Sequence, residues 1–446
     1  MASVISLELN ELSVDLVEKY VDDLDLRNFR RLFDDSRRYR TVAEQEFVNV
    51  EPWIQWVTVH TGLDFSEHGI FRLGDAVDAP YEQVWERVQR ELRLSVGAVS
   101  PMNATALKER PSFFVPDPWT ETEVHGSWDL RLLHRAVKAA VNSNAEGSFD
   151  LRSLIQLAAG ASRNLDWRKL PDYVGLARRS RNRKWLRAGV LDHLLADTFQ
   201  TQWLRHRPAY SSLFLNAAAH VQHHYMYNSP YYVGGQSNPA WYVAADMDPV
   251  GDLYQIYDAI LGQIFRLCDA HDVRLLVTTG LAQVPNPEIV FYYRPLDHAG
   301  VLDTVGISGV TAVEPRMSRD FLVRFDSTQA SAEAARILRS VTAEDGDALF
   351  TADERGDSLF VKVAYTREMA PGMSVTVGDR HIPDFAALFV HVSIENAIHT
   401  TYGSFFDCGK APHPALESMP LASVFDHTLR AVREECAPEG VTTETA

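Results

Sequence analysis

Short apolar runs alternate with amphipathic stretches near the N-terminus, and this alternation restricts the fold more than any other feature of the chain. Val4–Leu9 is predicted as a buried strand, and Val14–Val21 as the helix that follows it. Tyr81–Leu92 repeats apolar residues at helical spacing, and Leu94–Val99 is a short apolar strand after it. Alternating strands and helices are typical of a parallel sheet covered by helices. The sequence therefore predicts an α/β fold with three layers, αβα, around a largely parallel central sheet.

Chain length and charge limit the function classes. With 446 residues the chain is long enough for one large α/β domain or two smaller ones. Its formal charge of −17 argues against nucleic acid as a partner, because binding to phosphate backbones needs a positive surface. A local cluster of arginine or a metal still allows a small anionic substrate to bind.

Cysteine use and apolar runs bear on location. The three cysteines, Cys268, Cys408 and Cys436, are widely spaced and predict reduced thiols. No apolar run approaches the roughly 20 residues of a membrane span, and the N-terminus lacks the pattern of a signal peptide. We therefore predict a cytoplasmic protein that does not contact a membrane.

The domain organisation is predicted as one large domain over residues 1–436. A helical insertion is expected at about 128–207, and a small α+β subdomain at about 318–380. Residues 437–446 are short and polar, and we predict a flexible tail there.

One segment carries a specific resemblance. Within residues 51–70, Thr61-Gly62 is followed after a short gap by His68-Gly69-Ile70. This arrangement resembles the nucleophile-bearing segment of the type I phosphodiesterase branch of the alkaline phosphatase superfamily. The resemblance implies an alkaline phosphatase-like sheet with two divalent metals at the carboxyl ends of its strands. At the place of the family's nucleophilic Thr or Ser, this chain has Glu51-Pro52-Trp53.

The resemblance also places the family's metal ligands on this chain. The Asp-x-x-x-His pair falls on Asn216 and His220, and the late histidine falls on His399. In the family these positions bind one metal. We therefore predict one divalent metal held by His220, His399 and Asn216, with zinc as the ion and iron or manganese as alternatives.

The positions of the family's second metal lack charged ligands in this chain. The first-strand Asp falls on Asn10, and an Asp-His pair falls on Thr278 and Thr279. Neutral amides and hydroxyls offset little of the cost of dehydrating a dication, so we predict that these three residues bind substrate instead. Glu8 and Glu11 flank Asn10, and either could supply a carboxylate if it faces the site.

Three histidines lie within five residues, at His220, His223 and His224. Spacings of three and four residues place them on one face of a helix, and we predict catalytic roles for His223 and His224. The alternative is a hydrogen-bonded cluster that shapes the pocket without metal. Glu51 is predicted as a general base or a further metal ligand. Trp119 is predicted either to stack on a substrate ring or to pack in the core.

These residues predict a metal-dependent hydrolase or transferase acting on a phosphate or sulfate ester or anhydride of a small molecule. Without the family's Thr or Ser nucleophile, the reaction is expected to proceed without a covalent enzyme intermediate. Two alternatives stay open, a repurposed biosynthetic transferase or lyase and a non-catalytic relative that binds a ligand. The sequence also leaves a homodimer open.

Overall fold

The computed structural model describes residues 3–44, 50–142, 160, 163–165, 167–315, 319–413 and 415–436. The chain divides into two compact units. The first comprises Met1–Val233, Ala244–Pro285 and Ala397–Ala446, and the second comprises Gly234–Val243 and Asn286–Asn396.

Seventeen strands are found in the described residues. They are β1 (Ser3–Leu9), β2 (Arg37–Val42), β3 (Val96–Val99), β4 (Phe113–Val115), β5 (Tyr210–Leu215), β6 (Val273–Thr278), β7 (Gln283–Pro295), β8 (Val310–Pro315), β9 (Asp320–Phe325), β10 (Val341–Ala343), β11 (Phe350–Arg355), β12 (Ser358–Val363), β13 (Val375–Val377), β14 (Arg380–Ile382), β15 (Phe389–His399), β16 (Tyr402–Asp407) and β17 (Glu417–Pro420).

The α-helices of the same residues alternate with these strands. They span Val14–Tyr20, Arg27–Asp35, Pro52–Thr61, Phe65–His68, Val84–Leu92, Trp128–Asn142, Leu170–Arg179, Leu186–His206, Ala217–Tyr225, Pro249–His271, His298–Val305, Thr328–Arg339 and Ser423–Cys436. None of them is long and apolar enough to cross a membrane.

The first unit is built on an eight-stranded sheet in the order β17-β2-β16-β6-β1-β5-β3-β4. Neighbouring strands are parallel except at β16, which runs antiparallel to both β6 and β2. Every residue of β1, β3, β5 and β6 is buried, as expected where both faces of a parallel sheet are covered. The predicted fold class, a three-layer α/β fold with a largely parallel sheet, is confirmed.

The Thr-Gly and His-Gly-Ile segments have a structural role. Gly62 ends the helix Pro52–Thr61 with φ of 73°, and an added Cβ there would lie 2.9 Å from the ring of Phe425. His68 Nδ1 accepts a hydrogen bond from Ile70 N at 3.0 Å, which fixes the turn after the short helix Phe65–His68. Burial lowers the pKa of His68 to about 4, so the ring is neutral and suited to accept this bond.

The second unit has its own core and its own small sheets. Strands β11-β12-β9-β8 form an antiparallel sheet, and β10-β13-β14 form another. The helix Thr328–Arg339 contributes Leu338 to a core that contains Phe321, Val323 and Val361. The α+β subdomain predicted at about 318–380 stays a prediction; the second unit comprises Gly234–Val243 and Asn286–Asn396 and contains strands β8 to β14 with the helix Thr328–Arg339.

The predicted helical insertion at 128–207 contains helices at Trp128–Asn142, Leu170–Arg179 and Leu186–His206. Residues 143–159 of this insertion and the predicted tail at 437–446 lie outside the described residues.

A buried ionic network stands where β6 and β16 pair. Asp407 is fully buried and accepts hydrogen bonds from Arg274 Nε at 2.9 Å and Nη2 at 2.7 Å. His427 Nε2 lies 2.8 Å from Asp407 Oδ2, and Gly409 N donates to Oδ1 at 3.0 Å. Burial alone would raise the pKa of Asp407, but the bonds from His427 and Arg274 hold it well below its usual value.

We expect Asp407→Asn to lower the free energy of unfolding by about 3–5 kcal/mol at pH 7, because it leaves Arg274 without its buried counter-charge. The folded-state pKa of Asp407 is below the unfolded value of about 4, so this stabilisation is present above that pH and is lost as the pH falls. In urea unfolding, the difference in the free energy of unfolding between wild type and variant should therefore become smaller below about pH 4. The exposed Asp34→Asn is the control, and a pH-independent difference for Asp407→Asn would contradict this account.

Candidate metal centre

The candidate site lies at the carboxyl ends of three adjacent parallel strands. Strand β1 lies between β5 and β6, and each is followed directly by polar residues. Asn10 and Glu11 follow β1, and Asn216 follows β5. Open α/β sheets generally bind ligands at this edge.

Three side chains bring their ligand atoms together here. Glu11 Oε2 lies 2.9 Å from His223 Nε2 and 3.1 Å from His399 Nε2. The two Nε2 atoms are 3.0 Å apart. We call Glu11, His223 and His399 the His-Glu cluster. Among the described residues, these three side chains are close enough together to hold a metal ion.

The hydrogen bonds of both rings fit a metal site. His223 Nδ1 donates to the carbonyl of Ala397 at 2.9 Å, so Nε2 is the ring nitrogen that faces Glu11 and can bind a metal once it has lost its proton. His399 is likewise hydrogen-bonded to the backbone of Val50. Two imidazole nitrogens and a carboxylate oxygen about 3 Å apart repel one another unless a positive centre lies among them. Two His and one Glu form a known zinc ligand set, with bonds of about 2.0–2.2 Å that these separations permit.

Without metal, the positive centre is a proton. Burial by itself would raise the pKa of Glu11, but the charges of His399 and His223 and hydrogen bonds from both rings hold it well below its usual value. Burial lowers the pKa of His399, yet Glu11, Glu51 and the Val50 backbone raise it to about 9 overall. The carboxylate is therefore ionised and paired at neutral pH, as a metal ligand must be.

Its own backbone conformation and three neighbouring side chains hold Glu11 in place. Glu11 has φ of 56°, and this left-handed conformation turns the chain at the end of β1. Asn10 Nδ2 donates to Glu11 Oε1 at 3.0 Å, and Gln283 Nε2 donates to Oε2. Gln222 Nε2 donates to the Glu11 carbonyl at 2.8 Å. Both carboxylate oxygens are thus oriented before any ligand binds.

Asn10 and Asn216 occupy the places where the resemblance puts two aspartates, and they bind each other. Asn10 Nδ2 donates to Asn216 Oδ1 at 2.8 Å, and Trp56 Nε1 donates to Asn10 Oδ1 at 2.6 Å. These bonds, with that to Glu11, use both amide hydrogens of Asn10. In this arrangement Asn10 orients Glu11, and Asn216 in turn holds Asn10. Substrate binding by Asn10 and metal binding by Asn216 stay predictions.

The predicted histidines separate into two sets. His223, one turn beyond the matching position His220, faces His399 and Glu11. His220 is exposed, and its ring centroid lies 4.8 Å from that of His224. The ring of His224 lies 6.3 Å from that of His223. The structure therefore places His223 and not His220 beside His399, while His220 and His224 flank the cluster.

The predicted threonines and Trp119 lie apart from the cluster atoms. Thr279 Oγ1 accepts from Ser404 N at 2.9 Å, and Thr278 lines a small internal cavity together with Glu8 and His60. Trp119 is partly buried against the core of the first unit, which agrees with the packing alternative. The backbone of Thr279 nevertheless contacts the cluster, because its carbonyl accepts a hydrogen bond from Glu11 N at 3.0 Å.

Glu51 lies beside the cluster, at the N-terminal end of the helix Pro52–Thr61. Glu51 Oε2 is 3.7 Å from His399 Nδ1, and its side chain is 36% exposed. It is therefore within reach of both the cluster and solvent, as its predicted role as a base requires.

Sequence reasoning underrated Glu11 and did not include Gln283. Glu11 stood beside Asn10 as an alternative carboxylate, and only the positive φ of its backbone decides that it faces the site. Gln283 lies 272 positions away from Glu11, and no pattern in the sequence links the two.

With this geometry, comparison with known proteins defines the class. Residues 4–390 match the sequence model of the type I phosphodiesterase / nucleotide pyrophosphatase family. The chain belongs to this family, which confirms the resemblance seen in residues 51–70. Among curated protein sequences, none matches the chain.

Several solved structures are similar to the chain at low identity. Phosphonoacetate hydrolase from Sinorhizobium meliloti 1021, in complex with phosphonoformate, has 10% identity and a TM-score of 0.42, with 97% of this chain and 96% of that chain covered. Murine ectonucleotide pyrophosphatase / phosphodiesterase 5 has 12% identity and a TM-score of 0.42, with 99% and 97% covered. Wild-type alkaline phosphatase PafA has 12% identity and a TM-score of 0.46, with 98% and 97% covered.

We expect wild-type protein to bind about one equivalent of divalent metal, and His223→Ala to bind it roughly 100-fold more weakly or not at all. The reason is that loss of a ligand costs more than loss of a supporting group, which already costs about 10–100-fold. Elemental analysis and calorimetric titration with zinc, iron and manganese measure both quantities.

His220→Ala is the matched control, since it removes a histidine of the same helix that lies outside the cluster. It should bind metal as the wild type does. If His220→Ala abolished binding and His223→Ala did not, the ligand assignment given by this geometry would be wrong.

Proposed function

We propose that this chain is a metal-dependent hydrolase of phosphate esters or anhydrides of small molecules. The observation that carries the proposal is the convergence of Glu11, His223 and His399 at the carboxyl ends of parallel strands, in a chain of the phosphodiesterase family. Fold and family alone would not fix the reaction, whereas a His-Glu cluster around a buried carboxylate supplies a specific chemistry.

One divalent ion fits the cluster, with Glu11 Oε2, His223 Nε2 and His399 Nε2 as its ligands. Zinc is the first choice because it takes two His and one Glu in catalytic sites, and iron and manganese accept the same donors. When bound, such an ion supplies Lewis-acid polarisation of a phosphoryl oxygen. The Asn10–Asn216 pair, being neutral and mutually hydrogen-bonded, supports one metal rather than two.

Glu51 is the residue that we propose as the general base. Its carboxylate accepts a proton from an attacking water or acceptor hydroxyl at Oε1 or Oε2, while His399, 3.7 Å away, remains oriented by its bonds. Direct attack by water needs no covalent enzyme intermediate, which suits a chain with Glu51-Pro52-Trp53 at the nucleophile position. If an alcohol replaced water, the same arrangement would transfer the phosphoryl group.

The substrate is proposed to be small and anionic. The net charge of −17 disfavours extended polyanions, and a metal with Glu11 as its single carboxylate ligand leaves positive charge for a phosphate. Sulfate esters present the same tetrahedral anion, so they are a second substrate class to be distinguished by experiment.

We expect the zinc- or manganese-loaded protein to hydrolyse bis(4-nitrophenyl) phosphate or 4-nitrophenyl phosphate faster than 4-nitrophenyl sulfate. Glu51→Gln should lower kcat by roughly 10²–10⁴-fold, the usual contribution of a general base, without reducing metal content. Release of nitrophenol measures the rates, and elemental analysis measures the metal.

Glu123→Gln, which alters an exposed glutamate outside the cluster, should leave kcat unchanged. Unaltered turnover in Glu51→Gln would contradict the proposed role of Glu51 as the general base. Absence of hydrolysis for all three esters by metal-loaded protein would argue against a hydrolase and favour the non-catalytic, ligand-binding alternative.

A further inference from the structure

A cavity of about 150 Å³ lies within the first unit, beyond the loop that carries Glu11. Ser13, two residues after Glu11, forms part of its wall, but the three residues of the His-Glu cluster do not. Its other walls are formed by residues 14–16, Lys19, Arg40, and parts of the segments 226–232, 282–285 and 402–404. The cavity is therefore a space distinct from the candidate metal centre.

The charges around the cavity have a positive excess. Asp15 Oδ1 lies 3.0 Å from Arg38 Nη2, and Asp15 Oδ2 lies 3.6 Å from Arg40 Nη2. Arg38 also pairs with Glu18. Lys19 lines the cavity, and in the described part of the chain its ammonium has neither an ion pair nor a hydrogen bond. Among the residues that line the cavity, the two cations Lys19 and Arg40 thus outnumber the one carboxylate, Asp15, which favours an anionic occupant.

The remaining wall suits a flat apolar group. Tyr231, Tyr232, Tyr402 and Met226 line the cavity, and the guanidinium of Arg40 lies 4.9 Å from the centroid of the Tyr402 ring. A protein cavity of roughly 150 Å³ accommodates one benzene molecule. The space therefore fits a single aromatic ring between aromatic side chains, with an acid group near Lys19.

The cavity is connected to the candidate metal centre through one residue. Ser13 Oγ donates to the Gln283 carbonyl at 2.6 Å and accepts from Gln283 N at 3.1 Å. Gln283 is buried, with a relative exposure of 3%, and its side chain donates to Glu11 Oε2. An occupant that contacts Ser13 and Gln283 therefore touches the residue that orients the cluster carboxylate.

We propose that this cavity is a binding site for a small aromatic acid, that is, one ring joined to a carboxylate or similar anion. The site does not depend on the hydrolase activity proposed above, because its walls exclude the cluster and its ligand needs no metal. A free aromatic acid and an aromatic acid portion of a larger substrate present the same chemistry. Inhibition of ester turnover by benzoate distinguishes the two cases. If the cavity holds the aromatic acid portion of the substrate, bound benzoate competes with the ester and raises its apparent KM; if the cavity holds a separate aromatic acid, it does not compete.

The test is a calorimetric titration of metal-free protein with benzoate. We expect saturable binding, with acetate, which lacks the ring, and benzyl alcohol, which lacks the charge, each binding at least tenfold more weakly. Lys19→Glu should weaken benzoate binding at least tenfold by reversing the charge. Val284→Trp should weaken it similarly by filling the cavity with a larger side chain.

Two controls make the outcome specific. Lys108→Glu changes the net charge equally at an exposed position outside the cavity, and His223→Ala removes a cluster residue; both should bind benzoate as the wild type does. Thermal unfolding checks that each variant is folded, and the exposed position of Lys19 makes its replacement safe for folding. No saturable binding at millimolar benzoate, unchanged binding in Lys19→Glu, or loss of binding in His223→Ala would each overturn the proposal.

Discussion

The buried carboxylate of Glu11 is the constraint on which the site depends. One of its oxygens meets two imidazole nitrogens at about 3 Å, and such a contact is stable only around a shared positive charge. The protein meets this requirement by orienting each partner before any ligand binds: carbonyl groups hold the rings, and amides of Asn10 and Gln283 hold the carboxylate. This preorganisation is what separates a metal centre from an incidental group of polar residues.

Asn10 and Asn216 lie where the family resemblance places metal-binding aspartates, and as neutral amides they interact differently at the ends of β1 and β5. Two carboxylates so close together would need cations between them, whereas two amides satisfy each other with a hydrogen bond of 2.8 Å. At these two positions the chain thus has uncharged side chains, of which Asn10 donates a hydrogen bond to the Glu11 carboxylate and Asn216 accepts one from Asn10. The ligand atoms that could hold a metal belong to Glu11, one residue after Asn10, and to His223, about one helical turn after His220 in the helix Ala217–Tyr225.

Gln222 and Gln283 connect this site to its surroundings. Gln222 accepts from Ser13 N at 3.1 Å and from Tyr254 at 2.7 Å, and it donates to the Glu11 carbonyl. Gln283, which is 272 positions away from Glu11 in the sequence, holds the Glu11 carboxylate. The loop between β1 and the next helix is therefore fixed at its backbone and at its side chain. The same loop forms the wall of the cavity that we assign to an aromatic acid, so the two sites share their support.

Residue patterns alone were enough to predict the largely parallel sheet and to recognise the family. Apolar runs specify strands such as β1 and β6 by a local pattern that needs no tertiary information, whereas the close fit of Gly62 beside Phe425 depends on residues far apart in the chain. Tertiary structure alone decided which carboxylate faces the site. Glu8 and Glu11 are near neighbours in sequence, but the left-handed turn at Glu11 directs it to His223 while Glu8 is buried beside His60. Periodicity predicts the face of a strand only as far as the strand extends.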